Sequence, residues 1–170
     1  DNLKPIILGG EHSISIGVIE ALVEKYPDLI LIQLDAHADL RNSYQNNKYS
    51  HACTIRRCLE LLPSKKIIQI GIRSGTQEEF TIMKNNNQLI NYNTGDSILK
   101  IQELLEPLKN HPIYLTFDLD WFDPSLLPGT GTPEPGGFFW HDFENIIKLL
   151  STFKIIGCDI VELSPDIDNS

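Results

Sequence analysis

The amino-acid sequence predicts an α/β fold in which a doubly wound, largely parallel sheet is covered by helices on both faces. Three observations predict this three-layer αβα arrangement. Short apolar segments rich in Ile, Val and Leu end in Gly, Asp or Ser, as buried strands of parallel sheets do. Segments with helical spacing of apolar residues alternate with these strands. The chain has 170 residues and 41% hydrophobic content, which is enough for one domain with one substantial core.

Five segments are predicted to be strands and two are predicted to be helices. The strands cover residues 5–8, 29–34, 66–71, 113–117 and 155–161. The helices cover residues 97–108 and 140–153, and in the first of them apolar residues recur every three or four positions. The Asn-rich stretches 42–47 and 85–93 are predicted to be loops or helix ends.

Residues 1–170 are predicted to form a single domain. The chain opens almost directly on a strand and stops just after the polar end of another strand. We therefore expect N-terminal and C-terminal elements of a longer protein to lie outside this sequence. In such sheets ligands bind at the carboxyl ends of the strands, so a site is expected among the polar residues that follow each apolar segment.

Composition restricts the classes of partner. Acidic residues outnumber basic ones 23 to 14 and give a formal net charge of -9, which disfavours nucleic acid and anionic membranes and favours cations. The apolar runs are far shorter than the ~20 residues that a membrane-spanning helix needs. Cys53, Cys58 and Cys158 form no CxxC pair, which indicates a reducing cytoplasm and argues against a Cys/His zinc site.

Three potential metal ligands follow the second predicted strand directly. Asp35, His37 and Asp39 stand at alternate positions, separated by the small residues Ala36 and Ala38. In extended backbone, alternate side chains share one face, so these three side chains can converge on one point.

The fourth predicted strand ends in a similar pattern, with Asp118 and Asp120 separated by one residue. Two ionised aspartates buried side by side are prohibitively costly unless a cation neutralises them. A glycine turn after the first strand brings His12 to the same edge of the sheet. Six candidate ligands thus come from three strand ends, whereas Asp123, before a proline, is interpreted as a turn residue.

The ligand chemistry predicts the metal. Four carboxylates and two imidazoles are harder ligands than the His- and Cys-rich sets of zinc sites, so manganese is the first choice. Four carboxylates exceed the needs of one ion, and two ions about 3.5–4 Å apart can share bridging aspartates. The sequence therefore predicts a binuclear site that holds two Mn²⁺ per chain.

At these residues the chain resembles the ureohydrolases, the arginase and agmatinase family, whose signatures include GG[DE]HS, DAHxD and [ST]xDxDxxDP. The corresponding segments are residues 9–13, 35–39 and 116–124, in the same order along the chain. The segments GTGTPEPGG at 129–137 and VELSP at 161–165 extend the resemblance over nearly all of the sequence. The resemblance implies an arginase-like fold, hydrolysis of a guanidinium compound to urea and an amine, and a homo-oligomer, either a trimer or a hexamer.

The resemblance also implies two sets of metal ligands, which share Asp35 and Asp118 as bridges. One set is His12, Asp35, Asp39 and Asp118, and the other is Asp35, His37, Asp118 and Asp120.

Three residues are assigned catalytic roles by the same resemblance. His51 matches the proton-shuttle histidine, although the family commonly has glycine where Ala52 follows it. Glu162 matches the carboxylate that grips the guanidinium group, and Asp39 counts among the catalytic residues as well as the ligands. A guanidinium group stays protonated at any working pH and is attracted to an acidic pocket. Its carbon is a poor electrophile, so the nucleophile must be a hydroxide, and His51 can protonate the departing amine.

Agmatine is the predicted substrate. Animal arginases usually have Asn two residues after the last ligand of DAHxD, to bind the substrate carboxylate, and Arg41 stands at that position here. Segments 129–137 and 161–165 are also more like those of agmatinases. Arginine stays an alternative substrate because Arg41 can itself bind a carboxylate. Guanidinobutyrate and formiminoglutamate are further alternative substrates. A further alternative is a non-catalytic binding scaffold, although such relatives typically lose ligands and all six are present here.

Overall fold

The computed structural model describes residues 3–86, 89–90 and 98–168. Within these residues, six parallel strands form one sheet in the order β1-β6-β5-β2-β3-β4. The strands are β1 (Ile6–Leu8), β2 (Ile30–Leu34), β3 (Ile67–Ile70), β4 (Leu89–Ile90), β5 (Ile113–Asp118) and β6 (Ile155–Val161). The helices are α1 (Ile14–Lys25), α2 (Thr54–Leu61), α3 (Gln77–Asn86), α4 (Ile98–Leu105) and α5 (Trp140–Leu150).

Helices cover both faces of the sheet. The central strands β2 and β5 are buried along their whole length. Alternate side chains of β2 point to opposite faces, so that Ile32 packs with residues of α4 and α5 while Leu31 packs with residues of α1, α2 and α3. These two apolar cores establish the three-layer αβα arrangement that the sequence predicts.

The predicted helices end earlier than expected. The first was predicted over residues 97–108, but α4 ends at Leu105 and Glu106–Leu108 form a 3-10 helix. Pro107 has no amide hydrogen and cannot continue the α-helical hydrogen bonds, which explains the change. Residue 97 lies outside the described residues. The second was predicted over residues 140–153, but α5 ends at Leu150 and a turn follows.

One strand was missed. Residues 85–93 were predicted to be a loop or helix end, but Leu89–Ile90 pair with β3 as a short strand at the edge of the sheet. Two residues are too few to produce a periodic apolar signal. Residues 87–88 and 91–93 of that stretch lie outside the described part of the chain.

The carboxyl ends of the strands meet at one edge of the sheet, as parallel pairing requires. The loop after β3 begins at Gly71, whose φ of 100° favours glycine and whose added Cβ would lie 2.4 Å from the Trp121 ring. Glycine therefore lets the loops after β3 and β5 pack against each other. In the described ranges, no helix has the length and apolar character needed to cross a membrane.

Candidate active site

At the carboxyl edge of the sheet, four side chains meet around one point. His12 Nδ1 lies 3.3 Å from Asp35 Oδ2, 3.0 Å from Asp39 Oδ2 and 3.3 Å from Asp118 Oδ2. None of the four residues is more than 5% exposed. The loop after β1, the loop after β2 and the end of β5 thus contribute to one buried cluster.

Hydrogen bonding indicates which nitrogen of His12 carries the proton. Thr116 Oγ1 donates to Asp159 Oδ1 at 2.6 Å and therefore accepts from His12 Nε2 at 2.9 Å. In the neutral imidazole, the lone pair of Nδ1 then points towards three carboxylate oxygens, and this atom has no hydrogen bond of acceptable geometry. A lone pair that faces three anionic oxygens requires a positive charge between them, either a proton or a metal cation. The residues present therefore fit a divalent cation.

A second cluster shares Asp35 with the first. His37 Nδ1 lies 2.9 Å from Asp120 Oδ2 and 3.7 Å from Asp35 Oδ1. The ligand atoms of Asp35, His37 and Asp120 lie within 4.8 Å of one another, as do those of His12, Asp35 and Asp39. Because one carboxylate belongs to both clusters, the arrangement can hold two ions side by side.

The backbone reaches this geometry by turns rather than by the extended segments that the sequence predicted. Asp39 has a left-handed φ of 53°. β5 ends at Asp118 and Leu119–Trp121 form a 3-10 helix, in which Asp118 Oδ1 accepts the Asp120 N–H at 2.9 Å. The expectation of extended alternation is therefore wrong for Asp39 and Asp120. A capped turn at the end of β5 brings the Asp118 and Asp120 carboxylates together instead.

Two buried amide side chains hold Asp35 in position through hydrogen bonds. Gln33 Nε2 donates to Asp35 Oδ2 at 2.5 Å, and Gln69 Nε2 donates to Gln33 Oε1 at 2.7 Å. The two glutamines face each other because β2 and β3 pair in that register. The sequence reasoning missed both, although a glutamine inside each of two apolar strands was the available signal.

The crowding of charges shifts the pKa values of the cluster. Burial and the neighbouring Asp35 raise the pKa of Asp39 to about 8, and the same causes raise the pKa of Asp118. Burial alone would lower the pKa of His37, but its contacts with Asp120 and Asp35 raise that pKa to about 11. Without a metal ion, the site therefore retains protons that limit repulsion among its carboxylates. A cation would replace those protons.

His51 lies at the mouth of the same pocket, on a 3-10 helix over His51–Cys53. Its Nδ1 lies 3.3 Å from Glu11 Oε1, and its backbone N–H donates to that same oxygen. The Tyr44 ring packs edge-on against the imidazole, with centroids 5.5 Å apart. Glu11 therefore orients His51, a role that the sequence reasoning missed although Glu11 belongs to the GGEHS segment.

Glu162 follows β6 and connects the first cluster to the pocket. Its φ of 66° is uncommon for a residue with a Cβ and costs energy that the surrounding structure must offset. Its Oε1 accepts the backbone N–H of His12 at 2.6 Å, and its side chain lines the pocket together with His51. The position of the Glu162 carboxylate is thus fixed relative to the first cluster.

The pocket has a volume of about 200 Å³, which suits a small molecule. Its floor includes His37, Asp39 and Asp118 from the two clusters. The residues around its mouth include Arg41, Tyr44, His51, Thr132, Glu134 and Glu162. Glu134 was not singled out by the sequence reasoning, which read residues 129–137 only as a family segment. All eight predicted site residues therefore lie in or directly beside one pocket.

Comparison with known proteins gives consistent matches along the whole chain. The sequence model of the Arginase family matches residues 1–170. Agmatinase of Bacillus anthracis is 39% identical over 168 residues, which are 98% of this chain and 57% of that protein. N(1)-aminopropylagmatine ureohydrolase of Thermococcus kodakarensis is 43% identical over 161 residues, which are 94% of this chain and 54% of that protein.

Solved structures give the same result for the fold. The crystal structure of a putative agmatinase from Clostridium difficile has a TM-score of 0.88 and 44% identity, and the match covers 98% of this chain and 60% of that one. This similarity confirms the predicted arginase-like α/β fold. The chain spans little more than half the length of the curated relatives that it matches.

Proposed function

The chain belongs to the arginase family, and from this premise we propose that it forms the metal-binding and catalytic part of a ureohydrolase that converts agmatine to putrescine and urea. One observation carries the proposal. Two His/Asp clusters that share Asp35 border one small pocket, and the Glu162 carboxylate lines the same pocket.

The two clusters are suited to two Mn²⁺ ions because carboxylate oxygen dominates the ligand set. One ion would be held by His12, Asp35, Asp39 and Asp118, and the other by Asp35, His37, Asp118 and Asp120. When bound, such ions neutralise the buried carboxylates and activate water as a nucleophile near neutral pH.

Glu162 binds the guanidinium group of the substrate. A carboxylate and a guanidinium form charge-assisted hydrogen bonds whose planar geometry orients the guanidinium carbon. Because Glu162 Oε1 also accepts the backbone N–H of His12 at 2.6 Å, the carboxylate is held beside the first cluster. Binding at Glu162 therefore places the carbon to be attacked close to both clusters.

His51 moves the proton that the leaving group needs. Collapse of the tetrahedral intermediate to urea requires a proton on the departing amine nitrogen. An imidazole at the pocket mouth is suited to this transfer, and its contact with Glu11 Oε1 at 3.3 Å keeps the ring oriented.

The environment of Arg41 supports agmatine over arginine. Arginine carries a carboxylate that Arg41 would have to bind, but Arg41 Nε lies 3.7 Å from Glu79 Oε2. The Glu79 carboxylate is held there by the backbone N–H groups of Leu40 and Thr76, at 2.9 and 2.7 Å. The Glu79 carboxylate thus already compensates the charge of Arg41. A substrate carboxylate would therefore gain less binding energy from contact with Arg41.

A second candidate substrate is N(1)-aminopropylagmatine, after which the relative from Thermococcus kodakarensis is named. It keeps the guanidinium group and has a longer cationic tail. Either substrate would give the protein a place in polyamine formation. We also propose a cytoplasmic location, in keeping with the free cysteines, and a trimeric or hexameric assembly.

The test is urea release with saturating manganese from four compounds: agmatine, N(1)-aminopropylagmatine, arginine and 4-guanidinobutyrate. We expect the highest kcat/KM for agmatine and loss of activity after chelation. Faster turnover of arginine than of agmatine would show that the protein is an arginase and not an agmatinase. Absence of urea from all four compounds would reject the enzymatic function and favour the binding scaffold.

A further inference from the structure

We propose that Glu134 determines specificity by binding the ammonium group at the far end of the substrate. This inference rests on the proposed function, in which Glu162 holds the guanidinium end. The carboxylate of Glu134 then selects a cationic tail against a neutral or an anionic one.

The Glu134 side chain lines the pocket beside the second cluster. Its Oε1 accepts a hydrogen bond from Ser74 Oγ at 2.8 Å and lies 3.6 Å from His37 Nε2. Its side chain is 37% exposed and lines the same pocket as Glu162. A ligand that extends outwards from the two clusters therefore meets a second carboxylate.

The Glu134 carboxylate has one cationic neighbour, the His37 imidazole, whose Nε2 lies 3.6 Å from Oε1. Among the described residues, no lysine or arginine side chain forms an ion pair with this carboxylate. Arg41, the arginine that lines the pocket, is paired with Glu79. Arg73 is close in space but donates to the backbone carbonyl oxygen of Glu134. An ammonium group of a ligand would supply a further positive charge on the pocket side of this carboxylate.

The backbone around Glu134 is anchored on two sides. Arg73 Nη2 and Nε donate to the Glu134 carbonyl oxygen at 2.9 and 3.2 Å. Asp123 Oδ2 accepts the N–H groups of Gly136 and Gly137 at 2.9 and 3.1 Å. The carboxylate is therefore held in place before the ligand arrives, which lowers the entropic cost of binding.

The same anchor connects Glu134 to the second cluster. Arg73 Nη2 also donates to the carbonyl oxygen of Asp120 at 2.7 Å. The backbone of Glu134 and the backbone of Asp120 are thus joined through one guanidinium group, which keeps Glu134 beside the second cluster.

A different role for Glu134 would be to orient the imidazole of His37, since carboxylates commonly hold histidines that bind metals. The two roles have different consequences. Orientation of His37 would affect manganese affinity and every substrate equally. Binding of the tail would affect only ligands that carry the terminal ammonium group.

The test uses Glu134→Gln in the purified protein, with Glu144→Gln as the control for the change in net charge. Glu144 is exposed on α5 and lies outside the pocket. Gln keeps an oxygen for the Ser74 hydroxyl and removes the charge. The kinetic readout is the ratio of kcat/KM for agmatine to that for n-butylguanidine, which lacks the ammonium group. The binding readout, without turnover, is the ratio of Kd values for n-butylamine and 1,4-diaminobutane on manganese-loaded protein.

We expect both ratios to fall about tenfold in Glu134→Gln and to stay unchanged in Glu144→Gln, because a half-exposed charge-assisted pair is partly screened by solvent. Unchanged ratios in Glu134→Gln would overturn the inference, and so would an equal loss for all ligands with weaker manganese binding. A third outcome separates the two proposals. If no guanidino compound releases urea, but the unaltered protein binds 1,4-diaminobutane more tightly than n-butylamine and Glu134→Gln does not, the proposed function fails while the ammonium site at Glu134 stands.

Discussion

Asp118→Asn is expected to remove most of the stabilisation that manganese gives the protein while it preserves the fold. Asp118 Oδ2 lies 3.3 Å from His12 Nδ1, and Asp118 Oδ1 accepts the Asp120 N–H at 2.9 Å. Asn retains an oxygen for the backbone N–H. It loses the negative charge that faces His12, where the first ion is proposed to bind.

The size of the effect follows from linkage between binding and folding. An ion present at 100 times its Kd stabilises the folded state by about 2.7 kcal/mol. For a protein of this size, 1 kcal/mol shifts Tm by about 2–4 °C, so each ion should raise Tm by about 5–11 °C. Loss of a residue that only supports the ligands can weaken metal affinity by up to about a hundredfold. With an affinity weaker by that factor, the same ion concentration stabilises the folded state by only about 0.4 kcal/mol, and Tm rises by only about 1–2 °C.

The metal-free proteins should show the opposite order. Burial and Asp35 raise the pKa of Asp118, so its ionised form destabilises the fold near neutral pH. Metal-free Asp118→Asn is therefore expected to be at least as stable as the metal-free parent. A large loss of stability without metal would show that Asp118 has a structural role in place of the proposed one.

The assay is thermal unfolding with and without a fixed concentration of manganese, and Asp123→Asn is the matched control. Asp123 Oδ1 accepts the Ser125 N–H at 3.0 Å, and Oδ2 accepts the Gly137 N–H at 3.1 Å, away from both clusters. The control should lose general stability but keep the full rise in Tm on addition of manganese. A full rise in Asp118→Asn, or an equal loss of the rise in both variants, would refute the reasoning.

Three further predictions concern the guanidinium site, the buried charges and the packing of the loops. Glu162→Gln should keep the manganese-induced rise in Tm but lose about 10- to 100-fold in kcat/KM for agmatine, because a charge-assisted hydrogen bond becomes a neutral one; wild-type kinetics in stable, metal-replete protein would contradict this. The metal-free protein should be more stable to urea at about pH 6 than at about pH 8, because two shifts act in the same direction. Ionisation of Asp39 becomes destabilising as pH rises from its ordinary pKa of 3.8 towards about 8, and the stabilisation from protonated His37 is lost as pH rises from 6.5 towards about 11; a flat profile would be evidence against the buried charge cluster. Gly137→Ala should cost about 1–3 kcal/mol in urea unfolding, because overpacking displaces backbone. The added Cβ would lie 2.5 Å from a backbone nitrogen, whereas at Gly10 nothing lies within 4 Å and Gly10→Ala should be tolerated; equal stabilities would contradict the packing.

The sequence predicted the sheet and the convergence of the candidate ligands for a local physical reason. Strands such as β2 are continuous apolar runs, and parallel strands place their carboxyl ends at one edge, so residues that follow different strands must meet there. Convergence at this edge depends on the direction of the strands and not on backbone detail. The Asp120 carboxylate therefore meets the others although Asp120 lies in a 3-10 helix rather than in extended backbone.

The remaining site residues act through contacts that the sequence pattern does not encode. Glu134 and Ser74 are 60 residues apart and meet only because the loops after β3 and β5 pack together. Glu11 and His51 are separated by 40 residues in the same way. The sequence does not single out Arg73, because its five carbonyl partners come from segments that only the fold brings together.

We propose that two manganese ions bind side by side because the Asp35 carboxylate belongs to both clusters. The measurement that decides this is elemental analysis of the protein after equilibration with saturating manganese. Two equivalents of manganese per chain are expected. A stoichiometry that stays at one equivalent under saturating manganese would show that the clusters hold a single ion.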